Sequence, residues 1–147
     1  MQYDFLKYWR VVRRYVLQKY GLHSADLDMI LFLYSERYFD AGKFAEYDNI
    51  LRWDEQRFYR LVEEGWIETF RPKTKAKKAI YKLTMKSNRM CGAMYSKLVG
   101  DEPIPMSAAS NKMFKKNACF RDKTVRMIIR KMNQELKEKR FDEFSDI

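Results

Sequence analysis

Five cations stand within eight residues, at Arg71, Lys73, Lys75, Lys77 and Lys78, with Thr74 among them and no acid between. They belong to a longer window, residues 69–100, that holds nine Lys/Arg and no Asp or Glu. Residues 1–68 carry ten cations and twelve acids, and residues 101–147 carry eleven and eight. Nearly all of the formal charge of +10 therefore arises in one stretch. A solvated face ordinarily mixes signs. A single-sign field suits a polyanion, because each neutralised phosphate releases condensed counterions. A second group lies just upstream. On a helix over 53–64, Arg52, Trp53, Gln56, Arg60 and Glu63 gather on the face opposite Phe58, Leu61 and Val62, with Arg57 and Tyr59 on the flanks. Glutamine matches an adenine edge in the major groove and arginine a guanine edge.

Other chemistry has little to work with. His23 is the only histidine, and Cys91 and Cys119 lie far apart, whereas a structural zinc site takes about four ligands. Adjacent acids such as Glu63 and Glu64 splay apart on a helix and form no acid–base dyad. The sequence offers no glycine-rich phosphate loop and no nucleophile with a base. It assigns no catalytic residue, metal site or cofactor, and the expectation is a non-enzyme. Apolar residues make up 46% of the chain and aromatics 16%, enough to build a core. No apolar run approaches the roughly 18–20 residues of a membrane span, and the start lacks a signal-peptide pattern. The expectation is a soluble protein of a bacterial or phage-infected host cytoplasm, without a membrane partner.

Helical signals come first. Phe5, Trp9, Val12, Val16 and Tyr20 form one stripe, and Gly21 fits the left-handed position beyond its end. Ser24 opens a second helix with Leu27, Ile30, Leu31 and Tyr34 inward and Asp26 and Asp28 in its first turn. Tyr38-Phe39-Asp40 interrupts the pattern, and Asp40 caps a short helix over 41–48 that turns Phe44 inward. Gly65 closes the helix over 53–64. Residues 66–71 and 79–84 read as strands around a polar, cationic turn. Thr84 caps a helix over 85–98 striped by Met90, Met94, Tyr95 and Leu98. Pro103 and Pro105 end that pattern. Beyond them a loose, partly helical run over 107–118 leads to a helix over 122–139 with Val125, Ile128, Ile129, Met132 and Leu136 on one stripe, and the tail from Phe141 to Ile147 frays.

The order is mostly α with a small β-hairpin, a winged helix-turn-helix: one helix suits the major groove while the hairpin wing, residues 66–84, reaches phosphates beside it. The domain division is 1–100 for the winged helix and 101–147 for a C-terminal helical extension. The stretch from Phe58 to Ile67 resembles the recognition helix and first wing strand of the MarR-type family of winged-helix regulators. Tyr81-Lys82-Leu83-Thr84-Met85-Lys86 is similar to that family's second wing strand and capping threonine. The family's Asp-x-Arg element in the wing is absent, since Pro72 to Lys77 holds no acid. The resemblance implies a homodimer on a palindrome, built by the first and last helices, and permits a small-ligand pocket between the two lobes. No effector is assigned. A winged-helix protein of a phage or other mobile element fits equally well. The predicted function is a sequence-specific double-stranded-DNA binder regulating transcription. A protein–protein adaptor, or an architectural nucleic-acid binder in a viral or replication assembly, is the alternative. The stripe at 125–136 predicts either a homodimer seam or a fold back onto the first helix.

Overall fold

Caps and turn glycines set most of the boundaries in the computed structural model, which describes residues 6–145. Residues 22–92 form one compact unit, and the residues up to Gly21 with those from Ala93 onward form another. The sequence reading groups residues 1–100 instead. No helix among the described residues is long and apolar enough to cross a membrane.

The unit of residues 22–92 begins with α2 (Ser24–Tyr34), which follows α1 (Trp9–Tyr20) of the other unit. The cap position of α2 is His23, one residue before the expected Ser24. Its buried face is Leu27, Met29, Ile30 and Leu33, joined by Asp26. Leu31 and Tyr34, expected inward, are only half-buried. Apolar residues surround this helix, so spacing alone does not choose the face, and the partners of Asp26 do. The supposed interruption at Tyr38–Phe39 is a short strand, β1. Asp40 caps α3 (Ala41–Ile50) as expected, its carboxylate accepting from the Lys43 amide at 2.8 Å.

Helix α4 spans Arg57–Glu63, shorter than the expected 53–64. Asp54 holds the preceding residues in a turn by accepting from the Gln56 amide at 2.9 Å. Leu61 is fully buried, whereas Val62, predicted inward, is 39% exposed. Gly65, at φ 83°, ends the helix. There the Trp66 amide donates to the Leu61 carbonyl and the Gly65 amide to that of Val62, the paired bonds of a Schellman ending.

Strands β2 (Ile67–Arg71) and β3 (Ile80–Leu83) make the wing, antiparallel with Ile67 opposite Leu83 and Thr69 opposite Tyr81. The register shifts between Thr69 and Arg71, a bulge that sets Phe70 apart. β1 pairs with β3, giving the strand order β1-β3-β2. Thr84 opens α5 (Met85–Leu98), accepting from the Ser87 amide at 3.4 Å. Met90, Cys91, Met94 and Leu98 are buried along α5, while Tyr95, expected in that stripe, is exposed.

The other unit packs α1 against α6 (Phe120–Ser145). Tyr8, Val11, Val12, Tyr15 and Val16 form the buried face of the first segment. Trp9 and Tyr20 are half-buried, and Phe5 lies outside the described residues. The stripe is turned because Tyr8 donates its hydroxyl to Glu135, and Arg14 and Gln18 both bond Asp122. On α6, Ile129, Met132 and Leu136 are buried, Val125 is half-buried and Ile128 is 40% exposed. Three of the five stripe residues are thus covered within the chain. The run over 107–118 is partly helical, as expected. It contains a 3-10 turn at Lys112–Phe114 capped by Asn111, with Met113 fully buried. Asn133 brackets Ile104 between the two prolines, accepting from its amide at 3.0 Å and donating to its carbonyl at 2.9 Å. Helix α6 continues through Phe141 to Ser145, where fraying was expected. Asp146 and Ile147 lie outside the described residues.

Candidate nucleic-acid interface

The wing tip supplies the exposed charge. Arg71, Lys73, Thr74, Lys75, Lys77 and Lys78 are all exposed, and none of the four lysines is ion-paired among the described residues. The tip has a defined turn. Thr74 donates its amide to the Lys77 carbonyl, and its hydroxyl accepts from the Lys77 amide, each at 3.0 Å. Arg71 donates to the Lys78 carbonyl at 3.3 Å across the base of the tip. Four ammonium groups are therefore held on one short turn, where mutual repulsion offers no advantage unless an anion arrives.

The wing root is fixed differently. The Thr84 hydroxyl donates to the Gly65 carbonyl at 2.7 Å and the Ser87 hydroxyl to the Trp66 carbonyl at 2.6 Å. Lys86 lies over the Trp66 ring at 3.8 Å, and Lys82 pairs with Glu68 at 3.4 Å. These two lysines of the basic window are engaged within the protein.

The helix half of the predicted surface divides. Arg52, Trp53 and Gln56 are exposed, as is Tyr59, with Trp53 at 65% and Tyr59 at 67%. A shallow hollow of about 400 Å³ is lined by residues 52–57. Arg57, placed by its spacing among the DNA-contacting residues, is instead 3% exposed. Its guanidinium donates to Asp26 at 3.1 Å, to Asp48, and to the Arg52 carbonyl at 2.9 Å. Arg60 is also engaged. Two of its nitrogens reach the Asp26 carboxylate at 2.8 and 3.1 Å, and one also reaches Asp54 at 3.1 Å. The Asp26 hydrogen bonds hold the Arg60 guanidinium more firmly charged than usual. The Gln56 amide, followed by Arg60, lowers the Asp54 carboxyl below its ordinary range.

Spacing did not identify Asp26 and Asp48 as site residues. Their job is to hold three helices in register, since Asp26 is on α2, Asp48 on α3 and both arginines on α4. The available signal was an acid set among the apolar residues Leu27, Met29 and Ile30. The electrostatic result is uneven. Residues 52–64 carry three cations and four acids, whereas residues 71–78 carry five cations and none. The uncompensated positive charge therefore lies on the wing and not around α4.

No family model matches the sequence, and no curated protein matches it. Two solved structures are similar. One is a cysteine-to-serine mutant of MarR from E. coli complexed with operator DNA, 18% identical, with a TM-score of 0.45 over 86% of this chain and 85% of that one. The other is reduced AbfR bound to DNA, 14% identical, with a TM-score of 0.44 over 90% of this chain and 83% of that one. With both scores under 0.5, the functional reading rests on the geometry of the wing and α4.

Proposed function

We propose that the protein is a sequence-specific double-stranded-DNA-binding regulator of transcription. The wing contacts phosphates, and the region of Arg52, Trp53, Gln56 and Tyr59 enters the major groove. The observation that carries this reading is the ordered wing tip, whose four lysines have no counter-charge. Phosphate contacts position a protein without reading sequence, so specificity falls to Gln56 and Arg52. Arg57 and Arg60 act as positioning residues through Asp26, Asp48 and Asp54. A homodimer on a palindrome belongs to this reading through the family resemblance alone, and sedimentation equilibrium of the full chain decides it.

One observation favours the architectural alternative: the two arginines of α4 are committed to acids inside the protein. Fluorescence anisotropy against a selected duplex, random duplex and single strand, across a salt series, separates the two. The expected log–log slope for duplex is about −4 to −7, and a flat response refutes nucleic-acid binding. Gln56→Ala should cost about 1–3 kcal/mol on the selected duplex and little on random duplex. Equal losses on every sequence would make the protein architectural.

A further inference from the structure

A second acid-poor window lies at residues 103–134, with eight Lys/Arg and a single acid, Asp122. Whole-segment charge conceals it, because the remaining acids of residues 101–147 flank this window. The one acid is already neutralised. Asp122 is buried and accepts from Arg14 Nε at 2.7 Å and from Gln18 at 3.1 Å.

The fold brings several of these cations together. Lys112 and Lys115 share a cavity of about 310 Å³ with Lys19 of α1. Lys19 lies over the rings of Tyr15 and Tyr20 at 5.8 and 5.4 Å. Arg126 of α6 donates to the carbonyls of Met113 and Lys115, which seats the helix beside the turn at 112–114. Arg126 and Arg130 both lie over the Phe114 ring, at 5.7 and 5.5 Å. Lys116, next to Lys115 in the chain, and Lys123 of α6 are exposed. Among the described residues, none of Lys19, Lys112, Lys115 and Lys116 forms an ion pair.

We infer that this face, centred on Lys19, Lys112, Lys115 and Lys116, is a second phosphate-binding surface for duplex DNA, separate from the wing. The inference rests on the DNA-binding reading given above. It deepens that reading by dividing the electrostatic contact between two surfaces. As at the wing, unopposed cations are held in place by contacts the protein makes internally. Fixed main-chain and ring contacts on Arg126 and Arg130 keep the face assembled without giving its lysines a counter-charge. Such a surface adds affinity and footprint without sequence preference.

The test compares three full-length variants on random duplex across a salt series: Lys112→Ala/Lys115→Ala/Lys116→Ala, Lys75→Ala/Lys77→Ala/Lys78→Ala, and both sets combined. Each triple variant should make the slope shallower by about 2–3, and the combined variant by about twice that. An unchanged slope in the first variant, with a shallower one in the second, overturns this surface and leaves the wing standing. A flat response in the unmodified protein overturns both. Vesicles of phosphatidylcholine with phosphatidylserine supply the competing polyanion. Vesicle binding lost in the first variant, with its duplex slope unchanged, assigns the face to lipid and overturns the proposal. Acetylation of the unmodified protein, read by mass spectrometry, is independent of how the variants fold. Duplex should protect Lys112, Lys115 and Lys116, and equal acetylation with and without duplex refutes the surface.

Discussion

Helix α4 and the wing both display cations in the sequence, yet the structure uses them in opposite ways. On α4, Arg57 and Arg60 are surrounded by Asp26, Asp48 and Asp54, and their charge is consumed in joining three helices. On the wing, Lys73, Lys75, Lys77 and Lys78 meet no acid among the described residues. The guanidinium fork suits the first task, since it serves several carboxylates at once in fixed directions. The lysine ammonium, compact and strongly hydrated on a flexible stem, suits the second. Counting cations in a window therefore measures potential only where acids at distant positions have been counted too.

A graded series of substitutions can break this comparison. Arg57→Ala should destabilise the fold most, by about 3–5 kcal/mol, because it strands Asp48 as a buried carboxylate and leaves Asp26 with Arg60 alone. Arg60→Ala should cost less, about 1–3 kcal/mol, since Asp26 keeps Arg57 while losing two hydrogen bonds. Sequence reasoning, which turned Arg60 outward, predicts about half a kcal/mol or less for the same change. Lys75→Ala should stay within about 0.5 kcal/mol. Urea denaturation of the three variants checks the order, and equal effects at Arg57 and Lys75 would abolish the distinction.

Acid sharpens the same point at smaller amplitude. Burial disfavours the Asp122 carboxylate, but hydrogen bonds from Arg14 and Gln18 outweigh it and leave its pKa lowered. Asp54 is lowered as well. A carboxyl with a lower pKa folded than unfolded binds fewer protons in the native state. Its stabilisation is present above the unfolded value of about 3.9 and is lost as pH falls through the folded one. Thermal melts between pH 6 and pH 2 should therefore show a falling Tm at the acid end, and Asp122→Asn should flatten that limb. An Asp122→Asn profile parallel to the unmodified one would remove the Arg14 pair from the account.

Local signals were legible where one residue decides the backbone. Asp40 caps, Gly21 and Gly65 take positive φ, Thr84 opens α5, and the two wing strands stand where their residues placed them. Signals failed where the deciding partner is distant. A two-residue strand such as Tyr38–Phe39 has no periodicity to detect, and only β3 makes it a strand. The rotations of α1 and α2 follow Glu135, Asp122 and the α4 arginines, none of which lies near them in sequence. Within the candidate site the wing was readable because its residues are contiguous. The fate of Arg57 was not, because Asp26 lies 31 residues earlier. The second basic face was missed for a third reason: charge summed over residues 101–147 averages it away.

The fastening of the wing root has a kinetic and entropic consequence. Hydroxyls of Thr84 and Ser87 grip the carbonyls of Gly65 and Trp66, and a Schellman ending closes the same corner. Amides at this corner should exchange slowly with solvent, while those of Lys75 and Ala76, between the hydrogen-bonded Thr74 and Lys77, exchange near the rate of an open turn. Docking on a polyanion then freezes lysine side chains at the tip and little of the main chain. Immobilising each such side chain costs about 0.5–1.5 kcal/mol, comparable to what one screened contact returns. A single wing lysine is thus a poor anchor, and grip emerges only when several land together, which makes attachment abrupt in salt and release rapid once the first contacts let go.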